Sequence, residues 1–192
     1  MAASLVKLYI MLAVFDGIEH GTITDDANVN ALLKQMITVS SNEAANGLLS
    51  RIGNGDDKAA IATVTATAQR YGFTSSEELR TLTGMASGNA VENWTSTRDC
   101  GSFLSQVYAG TLVSKNASER MMQLLLGQTR RTKIPAGVPS GVKVANKTGE
   151  LAAVQNDVAI VFGTHPYVLA VMSNDISCLL YTSDAADDMQ CV

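Results

Sequence analysis

Residues 142–172 read VKVANKTGELAAVQNDVAIVFGTHPYVLAVM. Three runs within them, Val142–Thr148, Val154–Phe162 and Tyr167–Met172, are rich in residues that suit a pleated, half-buried surface. Short turns part the runs. Gly163-Thr164-His165-Pro166 is the clearest of these, since glycine and proline punctuate the chain where it must reverse. Strands joined so briefly can pair only antiparallel, because a parallel pair needs a crossover of a dozen residues or more. The stretch after the Pro135–Pro139 turn therefore predicts a three-stranded antiparallel meander.

The chain before that turn reads helical. Ser4 to about Ile18 is apolar almost all round (Leu5, Val6, Leu8, Tyr9, Ile10, Met11, Leu12, Val14, Phe15), which predicts a helix buried on every side. A second helix is expected over Asp25–Val39, capped by Thr24 or Asp25, with Val29, Leu32, Leu33 and Met36 on one face. Asn42–Ile52 follows, stopped by Gly53 and Gly55, and then Asp56–Tyr71, ending at Gly72. Helical spacing returns over Ser96–Val113 and Asn116–Gly127, each opening on a residue suited to capping. From Phe73 to Trp94 no period holds, and an unpatterned connection of that length is usually functional or mobile. Helices first and a sheet last define an α+β domain, helical over 1–134 and sheet over 135–175.

The bulk properties narrow the function. A chain of 192 residues is long enough for one sizeable core, and 46% hydrophobic against 17% charged residues excludes a disordered chain. A net charge of −4 with no basic stripe argues against nucleic acid as a partner. The one basic cluster, Arg130-Arg131-Thr132-Lys133, reads as a solvated turn. The longest apolar run, Leu8–Phe15, is too short to cross a bilayer. Cys100, Cys178 and Cys191 have neither metal-ligand spacing nor the even number of a disulfide framework, and His20 and His165 stand alone. No metal and no cofactor are expected.

Three short motifs carry chemistry. Ser4-Leu5-Val6-Lys7 sets a hydroxyl and an amine three residues apart, on one face of one helical turn. The positive end of the helix favours a developing alkoxide on Ser4, and with burial it disfavours a protonated Lys7. A lysine held partly neutral can take the serine proton. The plain alternative is a serine cap followed by a surface lysine. Ser40-Ser41-Asn42 stands at a junction between two helices, where a hydroxyl can shuttle a proton and a carboxamide can hold a substrate amide. Its plain alternative is a helix cap, and Ser87-Gly88-Asn89 repeats the Ser-x-Asn spelling. What favours the first copy is its setting, Met36-Ile37-Thr38 before it and Glu43-Ala44-Ala45-Asn46 after it. Lys147-Thr148-Gly149, closing a strand, offers charge and hydroxyl to a substrate carboxylate, while the glycine lets a ligand lie close to the backbone. Lys-Ser/Thr-Gly arises by chance about once per couple of thousand residues, so this motif is the most specific of the three.

In this order the triple resembles the signature of class A β-lactamases and penicillin-binding proteins. The resemblance runs from Ala3 to about Asp175, and Ala3–Leu12, Met36–Leu49, Glu92–Asp99 and Asn146–Asn156 carry it best. It implies a β-lactamase/DD-peptidase-like fold in which Ser4 is the acylated nucleophile, Lys7 its proton acceptor and Ser40 the relay to the leaving nitrogen. It further implies that Asn42 holds the substrate's side-chain amide, that Lys147, Thr148 and Gly149 form the carboxylate site, and that the backbone amides of Ser4 and Glu150 make the oxyanion hole. The implied partner is a small β-lactam or a peptidoglycan peptide, met by a monomer outside the cytoplasm.

The sequence also departs from the family. The Glu-x-x-Leu-Asn text of the deacylating loop is absent. Glu77 and Glu78 lie at about the right count from Asn42, whereas aligning on Glu92-Asn93-Trp94-Thr95-Ser96 leaves Leu82 or Thr83 near that place. Ser41 stands where an aspartate is common. The fold's first strands and its terminal helix are expected to be missing, since Ser4 comes almost at the start and the family pattern stops after Asp175. Residues 176–192 read as a tail outside the domain, with the run from Cys178 to Asp188 resembling translated sequencing adapter. Three readings follow: a β-lactamase, a D-alanyl-D-alanine carboxypeptidase, or a non-catalytic relic that keeps the fold.

Overall fold

The computed structural model describes residues 1–82 and 91–176. It opens with a 3-10 turn, Ala3–Val6, that runs directly into helix α1, Lys7–Glu19. Ser4 therefore sits in the turn that leads into the helix, not in the helix itself. Apolar on all sides, α1 becomes the central element, and within it only Asp16, Ile18 and Glu19 escape burial. Helices α2 (Ala27–Thr38), α3 (Asn42–Ile52) and α4 (Asp57–Arg70) pack around it. Helices α5 (Thr97–Ala109) and α6 (Lys115–Leu126) stand between this helical layer and the sheet.

Helix starts obey side-chain capping more closely than periodicity could say. Asp26, not Thr24 or Asp25, caps α2 by accepting from Val29 N at 2.7 Å. Asp25 is engaged elsewhere, in a two-pronged pair with Arg120 at 2.8 and 2.9 Å. Ser114 caps α6, so that helix begins before Asn116. At the other end of α5, Gly110 takes a left-handed φ of 72° and stops the helix well short of Val113.

Strands β1 (Lys143–Leu151), β2 (Val154–Phe162) and β3 (Tyr167–Val171) form an antiparallel sheet in the order β1-β2-β3. β1 does not close at Thr148. It continues to Leu151 and turns through Ala152-Ala153 into β2, which places Lys147-Thr148-Gly149 inside the strand. Ala145, Val158 and Ile160 face the helical core, and Val144, Ala159 and Val161 form a smaller cluster with Ile134, Val138 and Val142. Tyr167, Leu169 and Val171 of β3 are exposed.

The unpatterned segment after Phe73 is fastened by side chains reaching backbone groups. Glu77 and Trp94 exchange backbone hydrogen bonds at 3.0 Å, and Asn93 Oδ1 accepts from Leu79 N and Arg80 N at 2.8 and 3.0 Å. Arg80 pairs with Glu92 at 3.0 Å, and Leu82 N donates to Asn46 Oδ1 at 2.8 Å. Beneath them Asp99 accepts from Ser76 Oγ at 2.7 Å, and Ser76 meets Thr95, which meets Tyr9. The Ser87–Asn89 copy of the second motif and the 177–192 run lie outside the described residues.

Candidate active site

Four fixed contacts set the position of Ser4. Ala2 N donates to Asn93 O at 2.8 Å, and Asn156 Nδ2 donates to Met1 O and Ala2 O at 3.1 and 3.3 Å. The fourth is steric: a Cβ on Gly149 would come within 2.9 Å of Ala2 O and 3.2 Å of Leu5 N. Beyond the ligand approach expected from the sequence, Gly149 has a second demand on it, for on its Cβ side lies the turn that carries Ser4. The strand and the turn touch backbone to backbone because glycine stands there.

Lys7 is the hub. Its side chain is fully buried, and Nζ lies 3.1 Å from Ser4 Oγ, 3.2 Å from Ser40 Oγ, 2.6 Å from Ser40 O and 2.7 Å from Asn42 Oδ1. The two shortest contacts go to oxygens that only accept. A neutral amine has two hydrogens, so those acceptors consume both and leave its lone pair for a serine hydroxyl. Burial, helped by the nearby Arg130 charge and opposed by Glu78, brings the Lys7 pKa down to about 8. Ser4 makes no helix cap, so the plain alternative for the first motif does not describe this lysine.

Ser40 joins α2 to α3 with a left-handed φ of 62°, a strained conformation for a residue with a side chain. Capping at that junction falls to Ser41, whose hydroxyl accepts from Ala44 N at 3.1 Å. Ser40 is thus free to meet Lys147, whose Nζ is 2.9 Å away and also donates to Thr148 O at 2.7 Å. Lys147 is completely buried, and that burial, with the charges of Lys7 and Arg130, holds its pKa well below the usual lysine range. It reaches the site through Ser40 and lines neither of the cavities there, whereas Thr148 does line one.

Two small cavities open at Ser4. One, of about 180 Å³, is lined by Ser4, Ser40, Asn42, Arg130, Thr148 and Glu150. The other, of about 90 Å³, lies towards the 73–96 segment and adds Arg80, Leu82, Glu92 and Asn93 to Ser4, Asn42 and Glu150. A larger groove of about 620 Å³, between α2 and α6, includes none of the three motifs. The basic cluster is largely exposed, as a solvated turn would be, but its cations are paired. Arg130 and Lys133 pair with Glu150 at 2.7 and 2.9 Å, and Arg131 donates to Val144 O at 2.9 Å.

The two glutamates considered for the release step part company. Glu77 is exposed and meets Trp94 only through its backbone. Glu78 is buried behind Asn93, whose Nδ2 lies 3.4 Å from its Oε1, while its Oε2 and the neighbouring Arg80 Nε find no partner among the described residues. Burial pushes the Glu78 carboxyl up to about 8, against the opposing charges of Arg80 and Lys7. Neither lines the cavities at Ser4, where this segment contributes Arg80, Leu82, Glu92 and Asn93 instead.

A helical layer, an antiparallel sheet and a serine-lysine hub between them define the superfamily of serine β-lactamases and penicillin-binding proteins. Within it, the model of the beta-lactamase enzyme family matches residues 24–189, and the chain belongs to that family. Ser4 and Lys7 precede the matched span, so their place rests on the geometry above. Among solved structures, the chain is similar to a β-lactamase from Sphaerobacter thermophilus, with 23% identity, a TM-score of 0.80 and coverage of 93% of this chain and 76% of that one. A variant of the last common ancestor of Gram-negative class A β-lactamases gives 22%, 0.76, 92% and 76%. PBP-A gives 22%, 0.75, 91% and 72%, and one of its variants is described as an acyl-enzyme complex with penicillin G. No curated protein matches the chain. At these identities the likeness is one of fold.

Proposed function

We propose that this protein is a serine hydrolase that β-lactams acylate on Ser4. The observation that carries the reading is the Lys7 hub, where one buried nitrogen touches Ser4 Oγ, Ser40 Oγ and Asn42 Oδ1 at 3.1, 3.2 and 2.7 Å. With its pKa near 8, Lys7 is neutral in about one molecule in ten at neutral pH, against a few in ten thousand for an ordinary lysine. The neutral amine takes the Ser4 proton as Oγ attacks the lactam carbonyl carbon. The C–N bond then breaks, and Ser40 gives its proton to the departing nitrogen while Lys7, 3.2 Å away, returns to Ser40 the proton it took. The backbone amides of Ser4 and Glu150, both at the cavities, serve as the oxyanion donors. Asn42 holds the substrate's side-chain amide, and Thr148, Lys147 and Gly149 form the carboxylate side. The family resemblance supports the reading that this chemistry runs outside the cytoplasm, in a monomer and without metal or cofactor.

A second reading, a D-alanyl-D-alanine carboxypeptidase acting on peptidoglycan peptides, is favoured by Leu82. The apolar Leu82 lines the cavity beside Ser4, next to Arg80, Glu92 and Asn93, and Glu78 lies outside both cavities, holding its proton at neutral pH. Both features slow hydrolysis of the acyl-enzyme.

A fluorescent penicillin and a chromogenic cephalosporin test both readings. Covalent labelling abolished by Ser4→Ala is the expected result, and turnover of the cephalosporin selects the β-lactamase. Labelling without turnover selects the peptidase. A folded protein that takes no label is the non-catalytic relic.

A further inference from the structure

Glu150 does more than carry a backbone amide. Its side chain is the one carboxylate lining the 180 Å³ cavity, among the described residues, and it is claimed twice. Oε2 lies 2.7 Å from Arg130 Nη1 and Oε1 lies 2.9 Å from Lys133 Nζ, one cation for each oxygen. Arg130 lines the same cavity as Ser4, Ser40 and Thr148. The site thus holds a cation, Arg130, already satisfied by an internal anion, which Lys133 holds from outside the cavity. Burial works against the Glu150 charge, but the hydrogen bond and charge of Lys133 and the charges of Arg130 and Lys147 outweigh it, so the carboxylate is ionised at neutral pH.

We propose that Glu150 is a specificity-determining residue, an internal anion seated on Arg130 and Lys133 beside Ser4, which a substrate carboxylate must displace to use those cations. This rests on the reading of Ser4 as the acylated nucleophile. The physical reason is competition for donors. A guanidinium fork and an ammonium recognise any carboxylate, whether it comes from the substrate or from the chain. The incoming anion also meets the like charge of Glu150 until that side chain moves aside. Arg130 is about half exposed and Lys133 about one-fifth, so each pair is worth little in water and the exchange is reversible. The seat therefore tunes selection between anionic and neutral substrates without forbidding either.

The test compares acylation by a penicillin with acylation by its neutral methyl ester, in the wild type and in Glu150→Gln. The ester serves as internal reference, because whatever the substitution does to the backbone amide affects both compounds. The ratio of the second-order rate constants, acid over ester, is expected to rise about three- to tenfold in Glu150→Gln and to shrink again as salt is added. Arg130→Gln in the Glu150→Gln background is expected to bring the ratio back down. A ratio that stays within twofold of the wild type, or falls, overturns the proposal. Labelling by neither compound, in a protein that melts cooperatively, overturns the Ser4 reading and the seat with it. That outcome is distinct from labelling at an unchanged ratio, which removes the seat alone.

Discussion

Lys147 Nζ lies 2.9 Å from Ser40 Oγ, so a lysine in the middle of β1 reaches the hydroxyl at the α2–α3 junction. Lys7 approaches the same oxygen at 3.2 Å from the other side. Only a protonated Lys7 has a third hydrogen to give, and in that state a hydroxyl that accepts from both amines has used its lone pairs, so its own hydrogen points elsewhere. The open direction is the cavity that Ser40 lines with Ser4 and Thr148. That geometry suits the proposed role of Ser40 as proton donor to the departing nitrogen.

Ser40→Ala is expected to slow acylation by about a hundredfold or more, the usual worth of a positioned proton donor, with the Ser4 label still appearing at long times. Ser40→Gly loses the same hydroxyl but relieves the left-handed φ of 62°. The glycine variant should therefore be equally slow yet more stable than the alanine variant by about 1 kcal/mol. Stopped-flow acylation and thermal melting of the two variants measure the two effects separately. Equal stability would mean that the junction carries no strain.

Under the proposed reading, Lys7 sets the pH dependence of acylation. Its pKa is depressed to about 8, and its active form is the neutral one. The acylation rate constant should rise about tenfold per pH unit below that value and level off above it. Rates measured from pH 6 to pH 10 with one penicillin check this. A rate that is flat across pH 7 to 9 would exclude Lys7 as the proton acceptor.

Glu78 gives a pH effect on stability rather than on acylation. Its folded pKa is raised to about 8 from an ordinary 4.5, so between those values the folded chain holds a proton that the unfolded chain has lost. Stability therefore falls as pH rises from about 4.5 to about 8, and the Glu78 contribution is flat beyond. Glu78→Gln removes that slope. The melting temperature of the variant should gain on the wild type steadily from pH 5 to pH 8. Parallel curves would show that the carboxyl titrates normally in the folded state.

Much of this was legible in the sequence for a physical reason. An all-apolar run such as Leu8–Phe15 has one solution, the centre of a helical layer, and β-rich runs joined by short turns have one pairing. The hub was legible because hydroxyl and amine at a three-residue spacing meet locally. What escaped was whatever depends on partners far along the chain. Arg130 and Lys133 read as a solvated turn until β1 brought Glu150 beside them. The segment after Phe73 has no period because Asn93, Asn46 and Asp99 hold it through backbone hydrogen bonds, which leave no hydrophobic pattern. Asn156 offered no signal of its own. Its role comes from the register that sets it opposite Gly149, against the turn before Ser4.

That register makes Gly149 the most sensitive backbone position in the site. A methyl group there would sit 2.9 Å from Ala2 O and 3.2 Å from Leu5 N, and both are backbone atoms that cannot rotate away. To admit it, β1 and the Ala3–Val6 turn must separate by several tenths of an ångström. Such overpacking costs about 1–3 kcal/mol. The catalytic cost should exceed the stability cost, because separation moves Ser4 away from Glu150 and Thr148 together. Displacing a reacting group by a fraction of an ångström to an ångström costs up to about a hundredfold in rate. Gly149→Ala is therefore expected to melt a few degrees lower, yet to lose about ten- to a hundredfold in acylation at temperatures where it is fully folded. Gly137, which has open space where its Cβ would stand, is the control, and Gly137→Ala should leave acylation unchanged. If Gly149→Ala acylates at the wild-type rate, the contact between the strand and the nucleophile turn is not what positions Ser4.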